Sequence, residues 1–113
     1  MTLHDLYLRC KNNGMNYSYG LFKTPQEPPH LVAMTSNTNN FMADNKVYKK
    51  KLPIILYYTY KDKDIEQMNL IEDTILEGIG WNKTEETYLS DENVWQVSYF
   101  FELDNIDENT MSV

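Results

Sequence analysis

The chain has 113 residues, 42% of them apolar, and its 10 Lys and Arg are opposed by 17 Asp and Glu. That length supports one domain with a modest core and excludes an array of domains. The formal net charge of −7 disfavours a general binder of nucleic acid or anionic membranes, because both surfaces would repel the molecule.

Segments that direct a protein into a membrane or out of the cell are not recognisable in the sequence. The longest apolar stretch, Leu52 to Tyr58, is far shorter than the roughly 20 residues of a membrane-spanning helix. The first residues include neither a basic region nor an apolar signal-peptide core. The single cysteine, Cys10, provides no internal disulfide and no cysteine-based zinc site. We therefore expect a protein that is made and kept in a cytoplasm.

The first predicted element is a helix with one apolar stripe. Thr2 is placed to cap its start, and residues 12–14, Asn-Asn-Gly, are typical of a helix end. The stripe consists of Leu3, Leu6, Tyr7 and Cys10. Cys10 is therefore expected to be a core residue and not a nucleophile. Two short strands are predicted next, over Tyr17–Lys23 and His30–Thr35, with a proline-rich loop between them.

The middle of the chain combines a polar stretch with a long predicted strand. Residues 36–45 show no periodicity and predict an exposed loop or the tip of an extended hairpin. Residues Lys46 to Tyr60 have the pattern of one strand. Pro53 predicts a bulge or the point where this strand leaves the sheet. The half that follows Pro53 is apolar on both faces and is expected in the core, whereas the lysine-rich half would project as an arm.

A second helix and a hairpin complete the pattern. The helix is predicted to start near Asp64 and to end at Gly78 and Gly80. Glu72 lies within its apolar stripe, either at the margin with its carboxylate in water, which we favour, or as a buried functional group. The hairpin strands are Trp81–Leu89 and Val94–Leu103. The last strand has a period-two pattern, with one face formed by Trp95, Val97, Tyr99, Phe101 and Leu103.

These elements predict a small single α+β domain over residues 1–103, with the order α-β-β-β-α-β-β. We expect a mixed or antiparallel sheet with two helices packed on one face and an extended β-hairpin arm. Residues 104–113 are acidic and lack periodicity, which predicts a disordered tail.

Motifs for catalysis or cofactor binding are not recognisable. The two histidines, His4 and His30, are far apart in the sequence, and there is no phosphate loop, nucleophile elbow or dinucleotide turn. Asp62, Asp64 and Glu66 are neighbours, but they do not lie in a calcium loop. We therefore predict that the protein is not an enzyme and has no catalytic residue, cofactor or metal site.

The distribution of charge and aromatic residues indicates an interaction surface instead. Residues 1–60 sum to +4 and residues 61–113 to −11, which describes either two faces of one monomer or subunits that attract each other head to tail. Phe41 and Met42 lie among asparagines in the predicted loop, where they would either anchor a partner or fold back on their own domain. The candidate interface comprises Asn39, Asn40, Phe41, Met42, Asp44, Lys49, Lys50 and Lys51.

Three stretches resemble a family of small tailed-phage proteins. They are PPHLV at residues 28–32, NNFMADNKVY at residues 39–48 and YYTYKDKD at residues 57–64, and the likeness extends from about Tyr19 to Leu103. The family comprises the tail completion, or head–tail joining, proteins of siphophages and prophages of Gram-positive bacteria. Pro53 and the run of three lysines at residues 49–51 depart from its pattern.

The resemblance implies a structural subunit that catalyses no reaction. Proteins of this family are similar to tail-terminator proteins, whose α+β subunits form a ring, commonly a hexamer, that closes the tail tube and meets the head connector. The implied partners are further copies of this chain, tail tube and head connector proteins, and DNA passing through the ring, with no membrane involved. The implied location is the head–tail junction of a virion, after synthesis in the cytoplasm of a bacterial host.

The alternative function is that of a small acidic inhibitor, or DNA mimic, that binds a nucleic-acid enzyme. The acidic second half of the chain favours this interpretation. The run of lysines disfavours it, because a phosphate mimic would avoid cations beside its acidic face.

Overall fold

Two helices and six strands are formed by residues 1–36 and 51–104, which are the residues that the computed structural model describes. The predicted single α+β domain is confirmed, and its sheet is open and mostly antiparallel. In chain order the elements are α1 (Leu3–Asn12), β1 (Tyr17–Tyr19), β2 (His30–Thr35), β3 (Lys51–Tyr60), α2 (Ile65–Leu70) with a π-helical turn (Ile71–Ile75), β4 (Asn82–Lys83), β5 (Thr87–Leu89) and β6 (Val94–Asp104).

Helix α1 forms where the sequence predicts it. The Thr2 hydroxyl accepts a hydrogen bond from the backbone N–H of Asp5 at 3.2 Å, and the Asp5 carboxylate accepts one from the N–H of Thr2 at 3.0 Å. This capping box satisfies two donors that the first turn leaves without helical partners. The buried side chains are Leu3, Leu6 and Cys10. Burial raises the pKa of the Cys10 thiol to about 12, as expected for a core cysteine that is not a nucleophile.

The sheet is ordered β1-β2-β3-β6-β4, and β5 also pairs with β6. Strand β1 runs parallel to β2, whereas all other pairs are antiparallel. We call the two ends of the sheet the His30 end and the Lys51 end. Leu56 lies near the centre of β3, opposite Ala33 of β2 and Tyr99 of β6.

Pro53 causes neither of the two effects predicted for it. The β3–β6 register runs without a bulge from Lys51 opposite Asp104 to Tyr60 opposite Trp95. The carbonyl of Pro53 accepts a hydrogen bond from the N–H of Ser36 at 2.8 Å, so its ring nitrogen faces the last residues of β2 and not β6. The missing N–H therefore falls where β2 ends, and the ladder with β6 is unaffected.

Alternate residues of the two central strands form the core on one face of the sheet. Leu56 and Tyr58 of β3 and Val97 and Tyr99 of β6 are buried there. Buried side chains of α1 and of the π-helical turn belong to the same cluster. Trp95 is the first residue of the predicted apolar face of β6, but it is 38% exposed. It lies at the His30 end of the sheet, where its ring contacts Tyr88 of β5.

Helix α2 is shorter than its apolar stripe predicts, because a π-helical turn replaces its second half. This turn directs Glu72 to the sheet, where its Oε2 atom accepts hydrogen bonds from the Tyr99 hydroxyl and the Lys83 amine, both at 2.7 Å. The Glu72 side chain is 15% exposed, so it lies at the margin of the core as favoured. Arg9 of α1 donates to the carbonyls of Ile75 and Glu77 and so joins the ends of both helices.

The strand predicted over residues 81–89 is divided into β4 and β5. Asn82 pairs with Phe100 and Thr87 pairs with Gln96, so five steps along one strand oppose four steps along the other. The extra residue indicates a β-bulge at Glu85 and Glu86. It follows Thr84, whose hydroxyl accepts the hydrogen bond of the Ser98 N–H in place of a backbone carbonyl.

Several predicted features lie wholly or partly outside the described residues. These are the loop over residues 36–45 beyond Ser36, the lysine-rich half of the long strand before Lys51, and the tail beyond Asp104. Asp104 itself belongs to β6, where its N–H donates to the carbonyl of Met1 at 2.8 Å.

Candidate interaction surface

The face of the sheet opposite the helices carries apolar side chains from three strands, and we call it the open face. Met34 of β2 lies opposite Ile55 of β3, and Ile55 lies opposite Phe100 of β6. Met34 and Phe100 are each 38% exposed, and Ile55 is partly exposed. A row of large apolar side chains across three strands is more typical of a contact surface than of a face that only meets water.

The loop that follows β1 forms one wall of a groove on the open face. Gly20 has a φ of 83°, which favours glycine and ends β1 after three residues. The chain then crosses the outer face of β2, where the ring of Phe22 meets the ring of His30 edge-on at 5.3 Å between centroids. Leu21 is 80% exposed beside the groove that this loop creates.

The open-face groove has a volume of about 570 Å³ and lies toward the His30 end. Val32, Met34 and Tyr57 provide most of its apolar floor, and residues 21–26 form one wall. Leu89 and Glu92 line the opposite side, and Gln96 of β6 continues the floor beside Thr59 of β3. A concave apolar surface with a few polar groups at its rim is the usual form of a protein binding site.

His30 is the titratable group at the floor of this groove. Its Nδ1 atom is buried and has no hydrogen-bond partner among the described residues. Burial lowers the pKa of His30 below its usual value, while the nearby carboxylate of Glu92 opposes that shift. The imidazole is therefore neutral at pH 7, and its ring packs as an apolar group against Phe22. Its Nδ1 atom remains able to accept or donate a hydrogen bond, depending on the tautomer.

We expect the domain to lose stability as the pH falls below 6.5, the ordinary pKa of histidine. Below that pH, His30 binds a proton more readily in the unfolded chain than in the folded chain. Protonation therefore stabilises the unfolded state relative to the folded state. The His30→Gln variant should lose less unfolding free energy than the wild type between pH 7.5 and pH 5.5. Urea unfolding followed by circular dichroism measures this, with His4→Gln as the exposed-histidine control. Equal pH dependence in the wild type and His30→Gln would contradict the assignment.

Of the eight predicted interface residues, Lys51 alone lies within the described residues. It begins β3 at the Lys51 end of the sheet, and its amine bonds the Asp104 carboxylate at 3.0 Å. The amino group of Met1 also bonds that carboxylate, at 2.9 Å, and with Lys51 it lowers the pKa of Asp104. Lys51 is thus an exposed but paired cation. The positions that lie outside the described residues are Asn39, Asn40, Phe41, Met42, Asp44, Lys49 and Lys50.

The open-face groove was not predicted as a site from the sequence. The available signal was β3, where residues Ile54 to Tyr60 are apolar on both faces, together with Phe100, which breaks the alternation of β6. If a strand buries only one face in its own domain, that burial does not account for apolar residues on its other face. The part played by Leu21 and Phe22 had no sequence signal, because it depends on the path of the loop across β2.

No protein-family model matches this chain, and neither a curated protein nor a solved structure matches it. Within residues 1–36 and 51–104, neither helix is long and apolar enough to cross a membrane. The same residues bring together no group of three or more His, Cys, Asp or Glu side chains suited to a metal ion.

Proposed function

We propose that this protein is a structural subunit of a siphophage or prophage tail, namely a tail completion or tail-terminator protein. Its copies would form a ring, commonly a hexamer, at the head–tail junction, where the ring joins the tail tube to the head connector and DNA passes through it. The protein would act by contact and would not catalyse a reaction.

The observation that carries the proposal is the apolar open face. A sheet with helices on one side leaves Met34, Ile55 and Phe100 exposed on the other, and contact with a partner would remove this apolar surface from water. Short strands lie at the margins of the sheet, with three residues in β1 and two in β4. Short edge strands limit uncontrolled strand pairing, which suits a subunit whose assembly must stop at a defined number.

The proposal includes two features of the predicted architecture, the hairpin arm and the packing of the helices. We propose that residues 37–50 form the tip and limbs of a hairpin arm between β2 and β3, and that the two helices pack side by side on the core face. The arm would bring Phe41 and the run of lysines to a neighbouring subunit, the tail tube or the DNA channel.

The alternative, an acidic inhibitor that mimics DNA, receives less support from the described residues. Four lysines lie within 4.0 Å of carboxylates, in the pairs Lys51–Asp104, Lys61–Glu27, Lys63–Glu86 and Lys83–Glu72. Carboxylates that are paired with lysines offer a basic partner less charge than an unpaired acidic row would.

Assembly tests the proposal directly. Light scattering after size-exclusion chromatography, at rising protein concentration and with or without tail tubes, should show self-association or binding to tubes. Electron microscopy of particles made without the gene should show unjoined heads and overlong or unattached tails. A chain that stays monomeric, ignores tail tubes and instead captures a basic nucleic-acid enzyme would favour the alternative. Normal joined particles without the gene would refute the proposal.

A further inference from the structure

We infer that the open-face groove binds residues 37–50 of a second copy of this chain. The inference rests on the proposed function, since it names the surface of a neighbouring subunit that one ring contact would use.

The groove and the segment of residues 37–50 both carry large apolar side chains. The groove floor and the adjoining open face present Val32, Met34 and Tyr57, with Met34 more than a third exposed. Neighbouring strands are about 4.8 Å apart, so a floor of three strands is about 10 Å wide and accepts one extended segment with its side chains. The segment supplies Phe41 and Met42, which are the residue types that anchor contacts of this kind.

The segment is basic, whereas the described open face carries slightly more carboxylates than lysines. The segment contains Lys46, Lys49 and Lys50 against one acidic residue, Asp44. The groove is lined by one carboxylate, Glu92, and one cation, Lys23, and nearer the Lys51 end the open face carries Glu102 and Asp104 against Lys51. Complementary charge of this kind selects the partner and sets its direction.

The positions where the segment leaves the domain favour a second copy over the chain's own groove. Ser36 still bonds Pro53 of β3, and Lys51 still lies opposite Asp104 of β6, so both ends depart along the strands at the Lys51 end. Fourteen residues join these ends, and seven extended residues span about 23 Å. That length would carry the segment beyond its own domain and onto a neighbour.

A contact of this type is heterologous, because one copy contributes the segment and the other contributes the groove. Each bound copy keeps its own groove available for the next segment. Repetition of one such contact around an axis generates a closed ring, or an open filament where the rotation does not close.

A labelled synthetic peptide of residues 37–50 tests the inference, with its affinity for the full chain measured by fluorescence anisotropy. Met34→Glu places a charge in the groove and should weaken binding about tenfold or more. Leu8→Glu is the matched control, because Leu8 is also 38% exposed but lies on α1, and it should change binding less than twofold. A peptide with Phe41→Ala and Met42→Ala should bind as weakly as the Met34→Glu pair.

Equal affinity for the two variants, or no binding to the wild-type chain, would overturn the inference. Circular dichroism and urea midpoints verify that both variants are folded. The proposed function fails separately, if the wild-type chain neither self-associates nor joins tail tubes. If the wild type assembles and Met34→Glu assembles equally well, the groove assignment is wrong and the proposed function stands.

Discussion

Replacing Phe41 with alanine, together with glutamine at Lys49, Lys50 and Lys51, is expected to abolish particle assembly while the domain stays folded. An aromatic anchor at the centre of a contact typically contributes 2 kcal/mol or more, roughly a 30-fold change in affinity. In the proposed ring the same contact would recur at every subunit boundary, so the losses in affinity would multiply. We expect complementation of a gene-deleted phage to fall by about 100-fold or more.

The folded domain should tolerate these four changes. The described core is built from helix and strand residues on the other face of the sheet, and Lys51, the one described position of the four, does not belong to it. Lys51 is the described member, and its partner is an exposed carboxylate, a type of ion pair that adds little to stability. The urea midpoint and far-ultraviolet circular dichroism should match those of the wild type.

A variant with the same chemical change elsewhere provides the control. Leu8→Ala combined with glutamine at Lys11, Lys61 and Lys63 likewise truncates one large apolar side chain and neutralises three lysines, at positions that are exposed in the described part of the chain. This control should assemble normally. Assembly that survives in the Phe41 variant, or that fails equally in both variants, would show that residues 41 and 49–51 are not the interface.

Local signals explain the part of the fold that could be predicted. Helix α1 is determined by a capping box, an apolar stripe and a terminal Gly14, all of which act within a few residues of each other. The alternation in β6 likewise identifies the buried side chains from Val97 to Leu103, because a strand has a fixed period of two.

Contacts between distant residues explain the part that could not be predicted. The π-helical turn contains Glu72, whose carboxylate accepts a hydrogen bond from Tyr99, 27 residues later. Between β4 and β5, the Thr84 hydroxyl accepts a hydrogen bond from the backbone N–H of Ser98, 14 residues later. Neither contact leaves a periodic pattern in the sequence, and an uninterrupted helix or strand is the expectation that propensity alone supports.

The candidate site was harder to predict than the fold for a related reason. A groove is a property of two surfaces that face each other, here the residue 21–26 loop and the β5–β6 turn across the floor of β3. The sequence predicted a strand as far as Lys23, which is wrong because β1 ends at Tyr19 and the positive φ of Gly20 begins the loop there. The double apolar character of β3 was visible in the sequence, but it was compatible with a strand buried on both faces within one domain.

Leu56→Ala and Ile55→Ala test the two faces of β3 with neighbouring residues. Leu56 is fully buried at the centre of the core, so its truncation should lower the free energy of unfolding by about 3 kcal/mol, within the usual range for such cavities. Ile55 is partly exposed on the open face, and its truncation should cost about 1 kcal/mol or less. Equilibrium urea unfolding measures the difference. The slope of unfolding free energy against urea concentration should be compared between the two variants.

Assembly should show the reverse order of effects. At a temperature where Leu56→Ala remains folded, it should still join particles, because the open face is unchanged. Ile55→Ala removes an apolar side chain that lies between Met34 and Phe100, and it should weaken assembly although the domain is nearly as stable as the wild type. Equal destabilisation by both variants would mean that the open face is part of a closed core. Undisturbed assembly in Ile55→Ala would mean that partners contact a different surface.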